Sequence, residues 1–345
     1  MVINDRKIGI DYPPYIIAEM SANHNGNIET AFKIIEMAKE NGADAVKLQS
    51  YTPDTITIKS DRPEFLINHG LWKGKTLHDL YSSAFMPWEW HKPLFDKAKD
   101  VGITIFSSPF DFTAVDMLEE LGAPAYKIAS FEAIDLPLIE YVARTGKPMI
   151  ISTGMANEEE IREAVKCAVN AGCTELSILH CVSGYPAPSS DYNLRTIADM
   201  KEKFGCEVGL SDHTLDNTSA LISIAMGASI IEKHVTLDRN GGGADDSFSL
   251  EPADLKELCV GAKTAWEALG SINYSMKDSE KENVKFRRSL YVVEDIQKGE
   301  EFTHKNVRSI RPGYGAEPKT LKDIIGKFAK KDVSSGTPFD IDEFL

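Results

Sequence analysis

The feature that most constrains this chain is an alternation. Eight short β-type runs, at 15–19, 45–49, 103–107, 125–130, 148–152, 175–181, 207–210 and 230–235, alternate with amphipathic helical patterns at 29–41, 87–101, 111–121, 136–145, 158–171, 194–204, 218–226 and 252–269. Strands that alternate with helices form right-handed βαβ units on a parallel sheet. Eight such units within about 270 residues predict an α/β fold of the (β/α)8 TIM-barrel type, with a doubly wound sheet as the alternative. Start signals agree: Asn157 precedes Glu158–Glu160, and Asp111 is placed to cap the helix that follows it.

Two departures from the alternation mark the organisation. Residues 51–86 separate the second strand from its helix and contain Pro53, Pro63, Gly70, Trp72 and Gly74. A connection of that length inside a compact fold reads as a functional lid or a small subdomain. The pattern then stops at Leu269. Residues 1–270 read as the barrel domain and 271–284, polar and charged, as a linker. Residues 285–345 read as a small β-rich domain, with strands at 289–293 and 306–310.

Composition excludes several functions. Acidic residues outnumber basic ones by 53 to 38, for a net charge of -15. Such a surface argues against nucleic acid and anionic membrane as partners, and an anionic substrate would need positive charge supplied locally. No apolar run is long enough to span a bilayer, and the first residues carry no signal-peptide core. The five cysteines are widely spaced inside apolar runs without a CxxC pair. They read as reduced thiols of a cytoplasmic protein and argue against a thiolate zinc site. No GxGxxG or GxxxxGK[ST] pattern supports a dinucleotide or P-loop site.

Barrel enzymes carry their chemistry at the C-terminal ends of the strands. Those ends are densely polar here: Glu19, Lys47 and Gln49, Ser107 and Ser108, Lys127 and Ser130, Ser152, Ser183 and Tyr185, Ser211 and His213, and Glu232 and His234. Buried charge on this scale is costly unless paired or liganded. His213 and His234 end neighbouring strands. Glu232 lies two residues before His234, on the same face, and Glu19 borders the eighth strand once the barrel closes. Two imidazoles with carboxylate and water form a plausible divalent-metal site, although a lone histidine is more often a hydrogen-bonded structural residue. His69, His78, His91 and His304 take that structural reading, and His24 and His180 stay open. Lys47 and Lys127 sit in apolar runs and need an anion. Ser130, Ser152, Ser183 and Ser211 complete an anion cradle, whereas each serine alone reads as a turn or cap. The expected substrate carries phosphate and carboxylate; a Schiff-base role for Lys127 competes. Gly241–Gly243 reads as a flexible rim loop, with Asp245 and Asp246 able to touch a polyol.

The segments IIAEMSANHNGN, ADAVKLQSYTPD, FSSPFD, YKIASFE, IISTGMA, LHCVSGYPAP, VGLSDHT and IEKHVTLDRN, followed by RSLYVVEDIQKGE and RSIRPGYG, resemble the sialic acid synthase family along nearly the whole chain. These enzymes condense phosphoenolpyruvate with an N-acylated amino sugar. The resemblance implies a TIM barrel followed by an antifreeze-like (SAF) domain. Within the family, SANHNG stands where the N-acetylneuraminate enzymes usually have GVNHNG, and Ser183 where they usually have asparagine. With YTPD, Gly70–Trp72 and SSPF, these features resemble the branch that makes pseudaminic acid from a 2,4-diacetamido-2,4,6-trideoxy hexose. Formation of N-acetylneuraminate or legionaminate is the alternative. The resemblance implies His213 and His234 as metal ligands, for manganese or else magnesium or cobalt. It implies Lys47, Lys127, Ser130, Ser152, Ser183 and Ser211 as the phosphoenolpyruvate cradle, and Glu19 and Glu232 as acids at the reacting carbons. Gln49, Tyr185 and Asp245 would contact the sugar. Arg311 would enter the partner's site in a domain-swapped homodimer. A Schiff-base aldolase and a non-enzymatic carbohydrate- or ice-binding protein are the more distant alternatives.

Overall fold

The computed structural model describes residues 1–68, 70 and 72–345; His69 and Leu71, the latter inside the Gly70–Trp72 element, lie outside the described residues. Eight parallel strands close into a barrel: β1 (Tyr15–Glu19), β2 (Ala45–Ser50), β3 (Thr104–Pro109), β4 (Tyr126–Ile128), β5 (Met149–Ser152), β6 (Leu176–Cys181), β7 (Glu207–Asp212) and β8 (Ile230–His234). β8 pairs with β1, Ile230 opposite Tyr15 and His234 opposite Glu19, which closes the cylinder. The surrounding helices are α1 (Ile28–Glu40), α2 (Trp88–Val101), α3 (Phe112–Glu120), α4 (Leu136–Ala143), α5 (Glu158–Asn170), α6 (Thr196–Phe204), α7 (Thr218–Ala225) and α8 (Pro252–Leu269). Their starts have local causes. Asp111 accepts the backbone N–H groups of Thr113 and Ala114, and Asn157 with Glu160 forms a reciprocal capping box on α5.

Side chains alternate along each strand, so every second residue faces the lumen. The lumen-facing set changes character along the axis. Tyr15, Ile17, Ala45, Phe106, Ala125, Ile150, Leu179 and Ile230 pack into one apolar cluster at the N-terminal ends. Two residues further on, the same faces carry Glu19, Lys47, Ser108, Lys127, Ser152, Cys181 and Glu232. The outward faces pack against the helices in the larger core, which includes Ile16, Val46, Leu48, Ile128, Ile178 and Leu210.

The lower end of the barrel is stoppered by an element that sequence periodicity does not reveal. Val2–Ile3 and Arg6–Lys7 form an antiparallel hairpin. Asn4 and Asp5 turn it with positive φ values of 44° and 63°, the backbone that tight hairpin turns require. Ile3 and Ile8 join the apolar cluster inside the barrel.

The long 51–86 connection contains Pro53–Ile56, the single turn Pro63–Phe65 and Leu77–Ala84. Tyr51 ties it to the barrel through edge-on contacts with Tyr81 and Phe110. The chain divides into two compact units, Met1–Gly270 and Ser271–Leu345. In the second unit, part of the segment read as a linker is wound into a 3-10 helix, Asp278–Phe286. Strands β9 (Ser289–Val292) and β10 (Val307–Ile310) pair antiparallel over a core of Leu290, Val292, Ile296, Phe302, Val307, Phe339 and Phe344. Among the described residues, no helix is long and apolar enough to cross a membrane, and all five cysteines are free thiols.

The stopper carries a prediction. Ile8→Ala leaves a cavity in the closed end and is expected to destabilise the fold by about 2–4 kcal/mol, measured by urea unfolding. The C-terminal end of the barrel is untouched, so activity per folded molecule should stay unchanged.

Candidate active site at the C-terminal mouth of the barrel

Four buried ionic side chains alternate in sign across the lumen. Lys47 Nζ lies 2.6 Å from Glu19 Oε2 and 3.8 Å from Glu232 Oε1. Lys127 Nζ lies 3.0 Å from Glu232 Oε1. Gln49 Nε2 donates to Glu19 Oε1 at 3.0 Å, Ser211 Oγ to Glu232 Oε1 at 3.2 Å, and Lys47 to Ser108 Oγ at 3.2 Å. All four ions are almost wholly buried.

The two carboxyls are driven apart. Burial raises Glu19 above the usual carboxylate range, more than Lys47 can offset, and the Glu232 charge adds to the rise. Burial acts on Glu232 in the same direction, but Lys127 and Lys47 together outweigh it and hold that group low and ionised. Lys127 is itself pulled down by burial, whereas Glu19 and Glu232 more than offset burial at Lys47. The two carboxyls thus shift in opposite directions, the pattern that separates acid from base roles in sites with paired carboxyls.

A hydroxyl nest lies beside the quartet. Ser130 Oγ accepts the Gly154 N–H at 3.2 Å. A Cβ at position 154 would collide with both Ser130 Oγ and Ser183 Oγ, so the bare glycine leaves room for these hydroxyls to converge. Ser152 Oγ is buried without a partner. Buried polar atoms are normally satisfied, and an orphan hydroxyl on the lumen face of the barrel is free to meet a ligand oxygen.

The mouth itself is aromatic. The rings of His213 and His234 are 5.3 Å apart, Tyr185 lies 4.5 Å from His213, and Phe248 lies 5.2 Å from His234. Trp72, from the long insertion, approaches Tyr185 at 6.1 Å and donates Nε1–H to the Ala244 carbonyl. The backbone N–H of His213 donates to Tyr192 Oη at 2.6 Å, and its Nδ1 lies 2.9 Å from the Val182 carbonyl. That contact places the ring proton on Nδ1 and frees Nε2 as a ligand. Cys181 Sγ stands farther away, at 3.9 Å from the same nitrogen. Burial, with the charges of His213 and the lysines, holds His234 well below its ordinary value and therefore neutral. Its Nδ1 is buried without a hydrogen-bond partner, 3.8 Å from Asp245 Oδ2. Two adjacent imidazoles, that of His234 held neutral and carrying an orphaned buried nitrogen, suit a divalent cation.

The sequence reading of that centre needs one correction. Glu19 and Glu232 do not join the histidines, because Lys47 and Lys127 engage them deeper in the lumen; the carboxylate beside His234 is Asp245. Among the described residues, no group of three His, Cys, Asp or Glu side chains is placed to hold a metal. The remaining coordination positions would fall to water or substrate.

Asp245 is buried and accepts a hydrogen bond from Ser21 Oγ. Asp246 is not free for a polyol: its carboxylate takes Thr236 Oγ1, Asn25 Nδ2 and the Gly243 N–H. Those bonds pin the 241–243 loop, which the sequence suggested was flexible. His91 is fully buried and bonds Ser50 Oγ at 2.7 Å, a structural role. His180 is held by the Tyr192 carbonyl. His24 accepts the Gly26 N–H and packs edge-on against Trp90. His78 pairs with Asp54 inside the insertion, and His304 is exposed. Arg311 is exposed on the small domain, immediately after β10.

Sequence reasoning missed Glu132. It follows β4 in a single 3-10 turn, Ser130–Glu132, and its Oε2 is buried without a partner. Burial, with Asp135 adding, pushes its carboxyl up to about 7 against the pull of Lys127 and Lys47. The YKIASFE segment contained the residue, but no periodicity distinguishes a loop acid that turns inward. A carboxyl raised on folding favours the folded state most fully below its unfolded value and loses that contribution as pH climbs to about 7. Glu132→Gln is therefore expected to match the parent near pH 4.5 and to be more stable at pH 8, by about 1–3 kcal/mol. Urea melts at the two pH values check it.

Comparison with known proteins gives a consistent set. The NeuB family profile matches residues 34–274 and the SAF domain profile residues 287–345. The chain is 42% identical to a pseudaminic acid synthase of Campylobacter jejuni, over 97% of each chain. It is 41% identical to a pseudaminic acid synthase of Helicobacter pylori, over 96% of this chain and 98% of that one. The crystal structure of an N-acetylneuraminic acid synthetase from Leptospira borgpetersenii, in complex with citrate, superposes with a TM-score of 0.74 at 31% identity, covering 83% of this chain and 95% of the other.

Proposed function

The chain belongs to the NeuB family, and from that premise we propose that it condenses phosphoenolpyruvate with 2,4-diacetamido-2,4,6-trideoxy-altrose to give pseudaminic acid and inorganic phosphate. The observation that carries this reading is the buried quartet of Lys47, Glu19, Glu232 and Lys127 beside an unpartnered Ser152 hydroxyl. Two lysines and a ring of hydroxyls inside an acidic protein supply the local positive potential that a triply ionisable substrate needs.

In the reaction, C3 of phosphoenolpyruvate forms a bond to the aldehyde carbon of the open-chain sugar. Water adds to C2, the C2–O bond to phosphorus breaks, and the phosphate departs with that oxygen. Lys127 and Lys47 bind the carboxylate and phosphate, and Ser130, Ser152, Ser183 and Ser211 donate to their oxygens. Glu19, whose carboxyl burial pushes upward, would return a proton to the aldehyde oxygen as that oxygen becomes a hydroxyl. Glu232, held ionised, takes the proton from the attacking water. His213 and His234 would hold a divalent cation, with manganese favoured over magnesium or cobalt, which when bound supplies Lewis-acid polarisation of the aldehyde. Lys127 acts as a donor rather than an imine-forming amine, because Glu232 engages its Nζ.

Gln49, Tyr185 and Asp245 line the sugar end. The aromatic wall of Trp72, Tyr185 and Phe248 offers apolar surface to a 6-methyl group. A 6-hydroxyl placed against it would go unpaired, at about 1–3 kcal/mol, so N-acetylmannosamine should be used about 10–100-fold less well. Phosphate release from phosphoenolpyruvate with each sugar tests this directly. Equal or better kcat/KM with N-acetylmannosamine would overturn the assignment in favour of neuraminate formation. His213→Ala and His234→Ala should each abolish turnover while leaving the melting temperature close to that of the parent. Chelation should inactivate the enzyme, and added manganese should restore it; full activity in metal-free protein would contradict the cation.

The working unit of this reading is a homodimer in the cytoplasm, a compartment that suits five unpaired thiols. Arg311 of a second copy completes the mouth with a guanidinium suited to phosphate and carboxylate. Mixing the inactive variants Arg311→Ala and His213→Ala should restore part of the activity once subunits exchange. No recovery despite proven exchange would reject the swap.

A further inference from the structure

On β8, Glu232 and His234 face the lumen and Lys233 between them faces away. Lys233 is 2% exposed and its ammonium is fully engaged. It lies 2.7 Å from Asp212 Oδ2, 2.9 Å from the Thr214 carbonyl, 2.8 Å from the Asp216 carbonyl and 3.4 Å from Thr214 Oγ1. Three ammonium protons shared among four acceptors leave no lone pair for chemistry. Asp212 is equally buried and also accepts the Thr214 N–H and Thr214 Oγ1. The 212–216 loop is thus wound around one buried cation, and His213 is the residue enclosed in the winding.

The placement in sequence is specific. Asp212 immediately precedes His213, and Lys233 immediately precedes His234. The backbone ladder between β7 and β8 ends at the pair Lys233 and Asp212. The two histidines come just beyond that last pair. His213 is tied toward β6 by Tyr192, Val182 and Ala187, and His234 toward β1 by its pairing with Glu19. The ion pair is the last tie drawing β7 and β8 together before the two imidazoles diverge into the mouth. A buried ion pair is a poor source of net stability, since apolar side chains of similar size often do as well. Its presence here is better accounted for by position.

We infer that the Asp212–Lys233 pair is the positioning element of the two-histidine centre, setting the separation of the imidazoles and thereby the affinity of the site for a divalent cation. The inference rests on the metal reading of His213 and His234 given above. The pair lies on the outward side of β7 and β8, away from the lumen, so the effect should appear in metal binding rather than in the affinity for phosphoenolpyruvate.

The test is calorimetric titration of manganese into metal-stripped, full-length protein, with thermal melting and phosphoenolpyruvate affinity measured on the same samples. Lys233→Met should lower the melting temperature, because Asp212 is left buried and unpaired, and should weaken manganese binding by about 10–100-fold. The double variant Asp212→Leu with Lys233→Met removes both charges. It should regain melting temperature without regaining manganese affinity, and phosphoenolpyruvate affinity should stay within about twofold of the parent. If neither methionine-bearing variant folds, Asp212→Asn decides, because it keeps the shape of the pair while removing one charge; manganese affinity should fall by at least about threefold, toward the lower end of such effects. A folded double variant with parental manganese affinity, or an Asp212→Asn protein that binds manganese as the parent does, would show the pair to be merely structural. A parent protein that binds no manganese would overturn the metal reading itself and the inference with it.

Discussion

Charge inside an apolar cylinder is the constraint to which the rest of this molecule answers. An isolated ion in the lumen of a barrel would be costly by many kcal/mol, and real proteins avoid that by pairing or by neutralisation. Here four ions stand close enough to compensate one another, with Lys47 bridging Glu19 and Glu232 and Lys127 closing on Glu232. The arrangement leaves unequal carboxyls, one pushed up and one held down. It also leaves hydroxyls, such as that of Ser152, without internal partners. On the proposed function, these properties serve a ligand that brings its own negative charge and takes over the pairing that the carboxylates provide in its absence.

The apolar end of the barrel makes the polar end possible. On each strand one lumen-facing position belongs to the stoppered cluster, and the next, two residues on, belongs to the site: Ile17 then Glu19, Ala45 then Lys47, Ala125 then Lys127, Ile230 then Glu232. The short N-terminal hairpin adds Ile3 and Ile8 to the apolar cluster beneath the ions. At the mouth, Tyr185, Phe248 and Trp72 gather around the two histidines. A low local dielectric strengthens every hydrogen bond aimed at a bound anion. The outward-facing residues carry a second, separate electrostatic task in Asp212 and Lys233, which brace the loop carrying His213.

Much of this was legible in the residues, for identifiable reasons. Periods of 2 and 3.6 are strong over long elements, so the barrel strands and helices were readable to within a few residues, and so were the caps at Asp111 and Asn157. Polar residues at the ends of apolar runs stand out because burial demands an explanation, which singled out Lys47, Lys127, Glu232 and His234. The hairpin at 2–7 was invisible, because two-residue strands have no period to detect. Glu132 went unnoticed, and Asp246 was read as able to touch a polyol, because loop acids look alike in sequence. Contacts alone separate a carboxyl left orphaned beside lysines from one saturated by Thr236, Asn25 and Gly243. The expected company of carboxylates around the histidines also failed for a long-range reason: which lysine reaches which glutamate depends on how far around the barrel each strand lies.

The central claim is that the paired lysines of the lumen exist to receive phosphoenolpyruvate. Its most direct measurement is equilibrium binding of phosphoenolpyruvate alone, without sugar, to the parent protein and to Lys127→Met, with circular dichroism confirming that both are folded. Loss of one charge-assisted contact, about 1.5–3 kcal/mol, predicts affinity weaker by about 10–100-fold in the variant. Unchanged affinity in a folded Lys127→Met protein, or a parent that binds no phosphoenolpyruvate, would contradict the account.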